Sequence, residues 1–432
     1  MTIQQYYPNS RPSLNLNFAL STKLDPVVTF SRTTSGTQIN RNGFIESVPA
    51  DTARFDHDPV TLEPRGLLVE GGRTNRCTQS SNFSFSSTNN VTETDVFNPD
   101  GTPAIRRVPL SSGNFHGTEG DAANIDISSQ AVGGTTDVTT SIFVRNYNNS
   151  NLGLLIGFVA VDATPTYRYL LGTINTANPT VLPTTSSATG WSNGFTQVQD
   201  YGNGWYRYTF GGRYTKAAGF NTITFVGEQI FSSTGQQFWN GDNVSGIYIW
   251  GRQREIGAFS TSYIPTSGSE GVRGSDTPTI EGNDFTKWFN QTEGTIFADM
   301  GPYVSEDTGN FGISIGSASN NYLAFPYIGG SGTYARTTYW REPSITATSQ
   351  PLTTGNTAGK YAIAYKNSQR LDQAFNGTLG TFGGSLPSPT GYDSLYIGRS
   401  HFTPGERQNF YLKRLVYYPS ALSNAILQTI TK

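Results

Sequence analysis

Apolar and polar positions alternate along much of this chain with a period of two. Thr222-Ile223-Thr224-Phe225 does so, as does Ser245 to Trp250 once its aromatic face is counted. Tyr206, Tyr208 and Phe210 fall on one face of a run whose other face carries Trp205, Arg207 and Thr209. Tyr361, Ile363 and Tyr365 alternate with Ala362, Ala364 and Lys366. Such patterning, rich in β-branched and aromatic residues and broken by Gly, Asn and Ser clusters, predicts antiparallel strands with one buried face. Helical periodicity is nearly absent. The best helix candidate is the end, Ser420 to Ile430, where Leu422, Ile426 and Ile430 share a face and Ser420 or Ser423 is placed to cap it. Many strands with no helices between them predict an all-β chain of tandem antiparallel β-sandwiches (jelly rolls) with an extended N-terminal segment, rather than a parallel α/β sheet. No period of about 20 to 50 residues is visible, which argues against solenoids and propellers.

A chain of 432 residues is too long for one sandwich. Residues 1–80, rich in Pro, Arg and Asn, look too thin for a core of their own and are expected to pack along a neighbouring domain or subunit. Residues 81–265 are read as a first jelly roll and 290–432 as a second. Residues 266–289, next to the Pro265-Thr266-Ser267-Gly268-Ser269-Glu270-Gly271 run, are read as a linker.

Composition narrows the function classes. Charged residues make up 14% of the chain, low against about 25% in ordinary globular proteins. Ser, Thr, Asn and Gly fill the gap, which suits tight turns and polar faces that bind without long-range electrostatics. Net charge is −2 with no basic block, so nothing forms the counterion-releasing patch of a nucleic-acid binder. The longest apolar run, Leu154 to Val161, is far short of the roughly 20 residues that cross a bilayer. The start, Met1 to Tyr7, has neither the basic nor the apolar region of a secretory signal. The single cysteine, Cys77, forms no internal disulfide.

Candidate chemistry is sparse. Gly312-Ile313-Ser314-Ile315-Gly316 matches the nucleophile-elbow spacing, but that motif needs a strand before and a helix after the serine. Here Phe311 to Ile315 simply alternates and a Ser/Asn turn follows. His57 stands between Asp56 and Asp58, yet neighbours on an extended chain point to opposite faces and do not converge on one ion. His401 falls in a loop of the second sandwich, where it would line a binding face or serve structure. Glu119 and Asp121 flank Gly120; clustered oxygens suit a metal ion, while hydrated surface acids are the plainer reading. No acidic pair sits in a recognisable glycosidase setting.

Aromatic residues are 13% of the chain. A sugar stacks the apolar C–H face of its ring on an exposed aromatic, beside polar groups that bond its hydroxyls. Trp205 and Trp250 lie in strand runs and are read as core. Trp191, in Thr189-Gly190-Trp191-Ser192-Asn193-Gly194, is flanked by turn residues and is expected exposed, as a glycan contact. Tyr334, Tyr339 and Trp340, interleaved with Arg336 and Arg341, form a stacking platform, a subunit interface or a strand with one buried face.

Three stretches carry a resemblance. Arg11-Pro12-Ser13-Leu14-Asn15-Leu16-Asn17-Phe18-Ala19, Leu24 to Arg32, Asn42-Gly43-Phe44-Ile45, Arg54 to Pro59, Gly66 to Glu70 and Arg73-Thr74-Asn75 resemble the N-terminal module of bacteriophage tail-fibre and virion surface proteins. Gly204 to Tyr208, Ile247 to Glu255 and Thr261 to Thr266 resemble a jelly roll related to carbohydrate-binding modules. Phe375-Asn376-Gly377 and Phe410 to Tyr418 resemble a concanavalin/laminin-G-like sandwich, although Asn424-Ala425-Ile426 replaces the acidic first turn usual in its closing helix. The resemblance implies a non-catalytic virion structural protein, a tail fibre or appendage. It would bind other virion proteins and host-surface glycans and form a homo-oligomer, by analogy a trimer. It would be made in the host cytoplasm and end on the virion surface. A capsid decoration or head-fibre protein is the alternative, and a polysaccharide-degrading enzyme the third reading. No cofactor is required; a structural calcium, frequent in such jelly rolls, would fall to Glu119 and Asp121.

Overall fold

The computed structural model describes residues 11–118, 124–162, 166–178, 184–304, 311–318, 321–327, 337–342, 345–349, 358–380, 382–383, 391–401 and 408–432. Regular structure is almost entirely antiparallel strand; the described helices are two short ones, Gly282–Thr286 and Asn424–Ile430.

The middle of the chain forms one jelly-roll sandwich. Its six-stranded sheet runs, in spatial order, Trp191–Asp200, Tyr206–Thr215, Thr135–Asn146, Ile247–Ile256, Pro103–Pro109 and Thr88–Phe97. The facing five-stranded sheet runs Ile125–Asp126, Phe220–Phe231, Gly153–Asp162, Tyr167–Asn175 and Thr184–Ser187. Alternate residues meet between the sheets: Val138, Ile142 and Val144 from one, Leu154, Ile156, Phe158, Ile223 and Phe225 from the other. Each such side chain contributes about 1.5–3 kcal/mol by leaving water.

The second sandwich draws on both ends of the chain. Asn409–Tyr418 pairs with Glu293–Val304 on one side; on the other it takes Leu14–Asn17 (Leu14 opposite Tyr417) and then Pro64–Val69 (Val69 opposite Phe410). In the facing sheet Thr29–Ser31 pairs with Thr277–Glu281. Leu14, Leu16, Phe18, Phe55, Leu67 and Val69 therefore share a core with Ile296, Tyr361, Leu395 and Leu412. The N-terminal segment, too thin for a core of its own, lends strands to the C-terminal one. Gly66 marks a close approach: its φ is +93°, and a Cβ there would stand 2.4 Å from the Leu412 carbonyl oxygen.

Residues 266–289, read from the sequence as a linker, are instead folded in. Gly271–Arg273 pairs with Arg73–Asn75, Thr277–Glu281 lies inside a sheet, and Ile280, Phe285, Trp288 and Phe289 enter the core. The Ser and Gly cluster marks a real turn, but the apolar residues after it belong to the sandwich. The closing helix lies across the outer face of Glu293–Val304 and its neighbours, with Leu422 and Leu427 against Phe297, Ala362 and Val416. Ser423 occupies its N-cap position without a side-chain bond to the helix.

Candidate functional site

The aromatic and histidine candidates fare differently in three dimensions. Trp191, expected exposed, is buried at 8% exposure. It opens the strand Trp191–Asp200, and Gly190, with φ +95°, turns it inward. Its ring packs on Tyr214 and Phe158, and Nε1 donates to the Arg168 carbonyl at 2.8 Å. Turn residues around a tryptophan place it near a surface but do not set its direction. His401 is also buried, at 5%, rather than lining a face. Trp205 and Trp250 are buried as expected, but on the outer face of the six-stranded sheet rather than between the sheets. The strand Thr337–Glu342 contains Tyr339 and Trp340, with Leu323 opposite Trp340; their side chains, and all of Tyr334, Glu119 and Asp121, lie outside the described residues. Among the described residues, no three His, Cys, Asp or Glu side chains converge as metal ligands.

The Ser314 motif acquires a partner that its sequence does not announce. Ser314 Oγ lies 2.7 Å from His401 Nδ1, and His401 Nε2 lies 3.0 Å from Ser394 Oγ, whose hydroxyl reaches Asp393 Oδ1 at 2.9 Å. The strand before the serine is present, but the exposed turn and the following helix of a nucleophile elbow are missing. Ser314 is wholly buried in mid-strand, and another strand, Asn321–Tyr327, follows it. Burial, and then the nearby Arg399, pull the imidazole down to about 3, so it is a poor proton acceptor. Tyr396 stacks on the ring at 4.1 Å. The group staples the 398–401 turn to the sheet.

The exposed chemistry lies on the outer face of the five-stranded sheet. Residues two apart on a strand share a face, and Tyr167 and Tyr169 both point outward, 51% and 41% exposed. Their rings stand 5.9 Å apart at 31°. Register extends this pair into two rows. Tyr169 lies opposite Val159, which lies opposite Thr224; Tyr167 lies opposite Val161, then Thr222, then Asp126. Thr224 Oγ1 bonds the Asn124 side chain at 2.9 Å. Two amphipathic rings thus border an aliphatic strip, Val159 buried and Val161 half-buried, and a row of hydroxyl and amide groups about 10 Å away, two strand spacings. Contiguous exposed apolar surface marks contact sites, and a tyrosine ring suits a face that is apolar at one end and wet at the other. Period-two alternation misleads here: Arg168 stands between the tyrosines, so the pattern alone would put Tyr167, Tyr169 and Leu171 on the buried face. A second exposed pair, Phe115 and Phe238 at 6.0 Å, sits on loops and lacks the polar tips of tyrosine.

Beneath the other face lies a buried charge cluster. Asp276 bonds Arg32 at 3.0 Å and also Arg54, while Glu70 meets Arg54 at 2.8 Å and Arg273 at 3.5 Å. Burial alone would raise Glu70, but Arg273, Arg54 and the Ser262 hydroxyl and N–H hold it at about 2. A second group sits inside the jelly roll, where Glu228 bridges Arg252 and Arg254 at 2.9 and 2.8 Å. There, too, the arginines outweigh burial and hold the carboxyl at about 2. Asp56 differs: burial dominates and raises it to about 6, against the Ile39 N–H and Arg65. These carboxylates are enclosed and paired, as structural ions are.

No family model matches the sequence, and no curated protein matches it. Among solved structures, the chain is similar to the CBM40 module of a Ruminococcus gnavus IT-sialidase bound to α2,3-sialyllactose. The identity is 18%, covering 33% of this chain and 84% of that one, with a TM-score of 0.28. A leech intramolecular trans-sialidase gives 18% identity over 33% of this chain and 23% of that one, TM-score 0.28. Mouse laminin α1 domains LG4-5 give 11% identity over 74% and 93%, TM-score 0.22. At these identities and scores no activity, ligand or partner passes from those proteins to this chain.

Proposed function

We propose that this chain is a non-catalytic surface protein of a bacteriophage particle, a tail fibre or appendage, that binds glycans through the outer face of its five-stranded sheet. The observation that carries the glycan reading is the Tyr167/Tyr169 pair. Two rings on one strand face offer flat apolar surface for the C–H faces of neighbouring sugar units. The Thr222, Thr224 and Asn124 side chains lie in the rows beyond, within reach of sugar hydroxyls.

The particle setting rests on the N-terminal resemblance. Its signature residues are those that build the scaffold: Arg54 and Glu70 in the charge cluster, and Asn75, which donates to the Ile264 carbonyl at 2.8 Å and accepts from the Arg254 N–H at 3.0 Å. They hold the two sandwiches together and contribute nothing to the exposed face. A homo-oligomer with other virion proteins as partners belongs to the same proposal.

The test is retention of the purified full chain on immobilised mannan, galactan and dextran. With each ring contributing about 1 kcal/mol, the double variant Tyr167→Ala/Tyr169→Ala should lose at least roughly tenfold in affinity. Phe238→Ala should bind as the native chain does. Equal binding by the double variant would remove the platform.

A further inference from the structure

We infer that the platform selects uncharged glycans and turns away those carrying carboxylate, sulfate or phosphate groups. This rests on the glycan reading and adds the ligand's charge class. The argument is an inventory of cations. Segments 119–126, 153–187 and 220–231 contain all five strands of the sheet, and they hold one basic residue, Arg168. Residues 168 and 169 alternate across the strand, so Arg168 leaves the face on which Tyr169 stands. Its guanidinium lies 4.2 Å from the ring centroid of Phe220, a residue of the inner core.

From the other sheet Arg252 and Arg254 reach Glu228 at 2.9 and 2.8 Å but stay buried between the sheets, and a further basic side chain that turns toward this side is Lys216. Its ammonium donates to the carbonyls of Ile127, Ser128 and Gln130 at 2.7, 2.8 and 2.8 Å. Three acceptors use all three of its donors, and it is 6% exposed. Of the acids in the same segments, Asp126 stands in the Tyr167 row with its carboxylate in water, while Glu228 is turned inward onto Arg252 and Arg254. Recognition of an anionic sugar uses charge-assisted bonds from Arg or Lys. This face offers the exposed Asp126 carboxylate, neutral hydroxyls, an amide and two phenol rings instead.

The experiment uses the full chain on two sets of immobilised polymers: neutral mannan, galactan and dextran, and anionic polysialic acid, hyaluronan and dextran sulfate. Retention on at least one neutral polymer is expected, with every anionic one at least about fivefold weaker at low salt. Neutral binding should change little between low and high salt, because no ion pair is there to be screened. Asp126→Asn should narrow the gap between the sets while leaving neutral binding in place. Tightest binding to an anionic polymer, lost in Tyr167→Ala/Tyr169→Ala, would overturn the charge selection while leaving the platform intact. Binding to neither set, or binding that ignores the tyrosines, would overturn the glycan reading itself.

Discussion

The two outer faces of the jelly roll carry similar residues and meet opposite fates. On the six-stranded side Phe143, Trp205, Tyr248 and Trp250 point away from the sandwich interior. The hairpin formed by Gly36–Ile39 and Ile45–Val48 lies over them, sealing Ile39 and Ile45 against the rings with Tyr263. On the five-stranded side Tyr167 and Tyr169 also point away, and they stay in water. The aromatic content of a strand therefore does not separate a second core from a binding face. What separates them here is a segment one hundred to two hundred residues earlier in the chain, clamped over one side only. The clamp is the charge cluster: Arg54 donates to the Thr37 carbonyl at 3.0 Å, Arg32 to those of Val48 and Pro49 at 3.2 and 2.6 Å, and Asp276 holds both guanidinium groups.

The strongest way to break the contrast is to remove that carboxylate. Asp276→Ala leaves Arg32 and Arg54 buried beside a missing partner, and should cost about 3–5 kcal/mol. Chemical unfolding would measure the loss, and tryptophan fluorescence would report Trp205 and Trp250 reaching water. A variant as stable as the native chain would mean that the hairpin is held by apolar packing alone.

Trp191→Ala comes close behind, at about 3–5 kcal/mol for a large buried ring. It should lower the unfolding midpoint, and any loss of glycan binding should follow that midpoint. By contrast, Tyr167→Ala/Tyr169→Ala should change stability by less than about 1 kcal/mol, two exposed sites at roughly 0.5 each, while abolishing most binding. That split between stability and binding, measured on the same samples, tests which face is structure and which is site.

Titration separates the two regions in a further way. His401 is held at about 3, below its ordinary 6.5, so its contribution is complete above pH 6.5 and is lost as pH falls toward 3. Glu70 and Glu228, held at about 2, contribute fully above pH 4.5 and lose it as pH falls toward 2. Asp56 has the opposite sign. Raised to about 6, it stabilises below pH 3.8, and that contribution disappears as pH rises through 6. Asp56→Asn should therefore make stability climb more steeply between pH 4 and 6 than in the native chain, in urea midpoints taken across that range.

Much of the architecture was legible from pattern alone. Strands at 206–210, 222–225, 247–250 and 361–365, the closing helix and the burial of Trp205 and Trp250 all follow from local periodicity, because a half-buried strand writes its two faces into alternate residues. Three things were decided only by tertiary structure. Leu14–Asn17 completes a sheet with residues 414–417, and no local signal names a partner four hundred positions away. Trp191 turns in and Tyr167 turns out, because the direction of a strand side chain depends on which neighbour the strand finds. One aromatic face became core and the other stayed open, because a hairpin and its ion pairs reached only one of them. Local sequence sets what each surface is able to bury; long-range contacts decide which surface is covered.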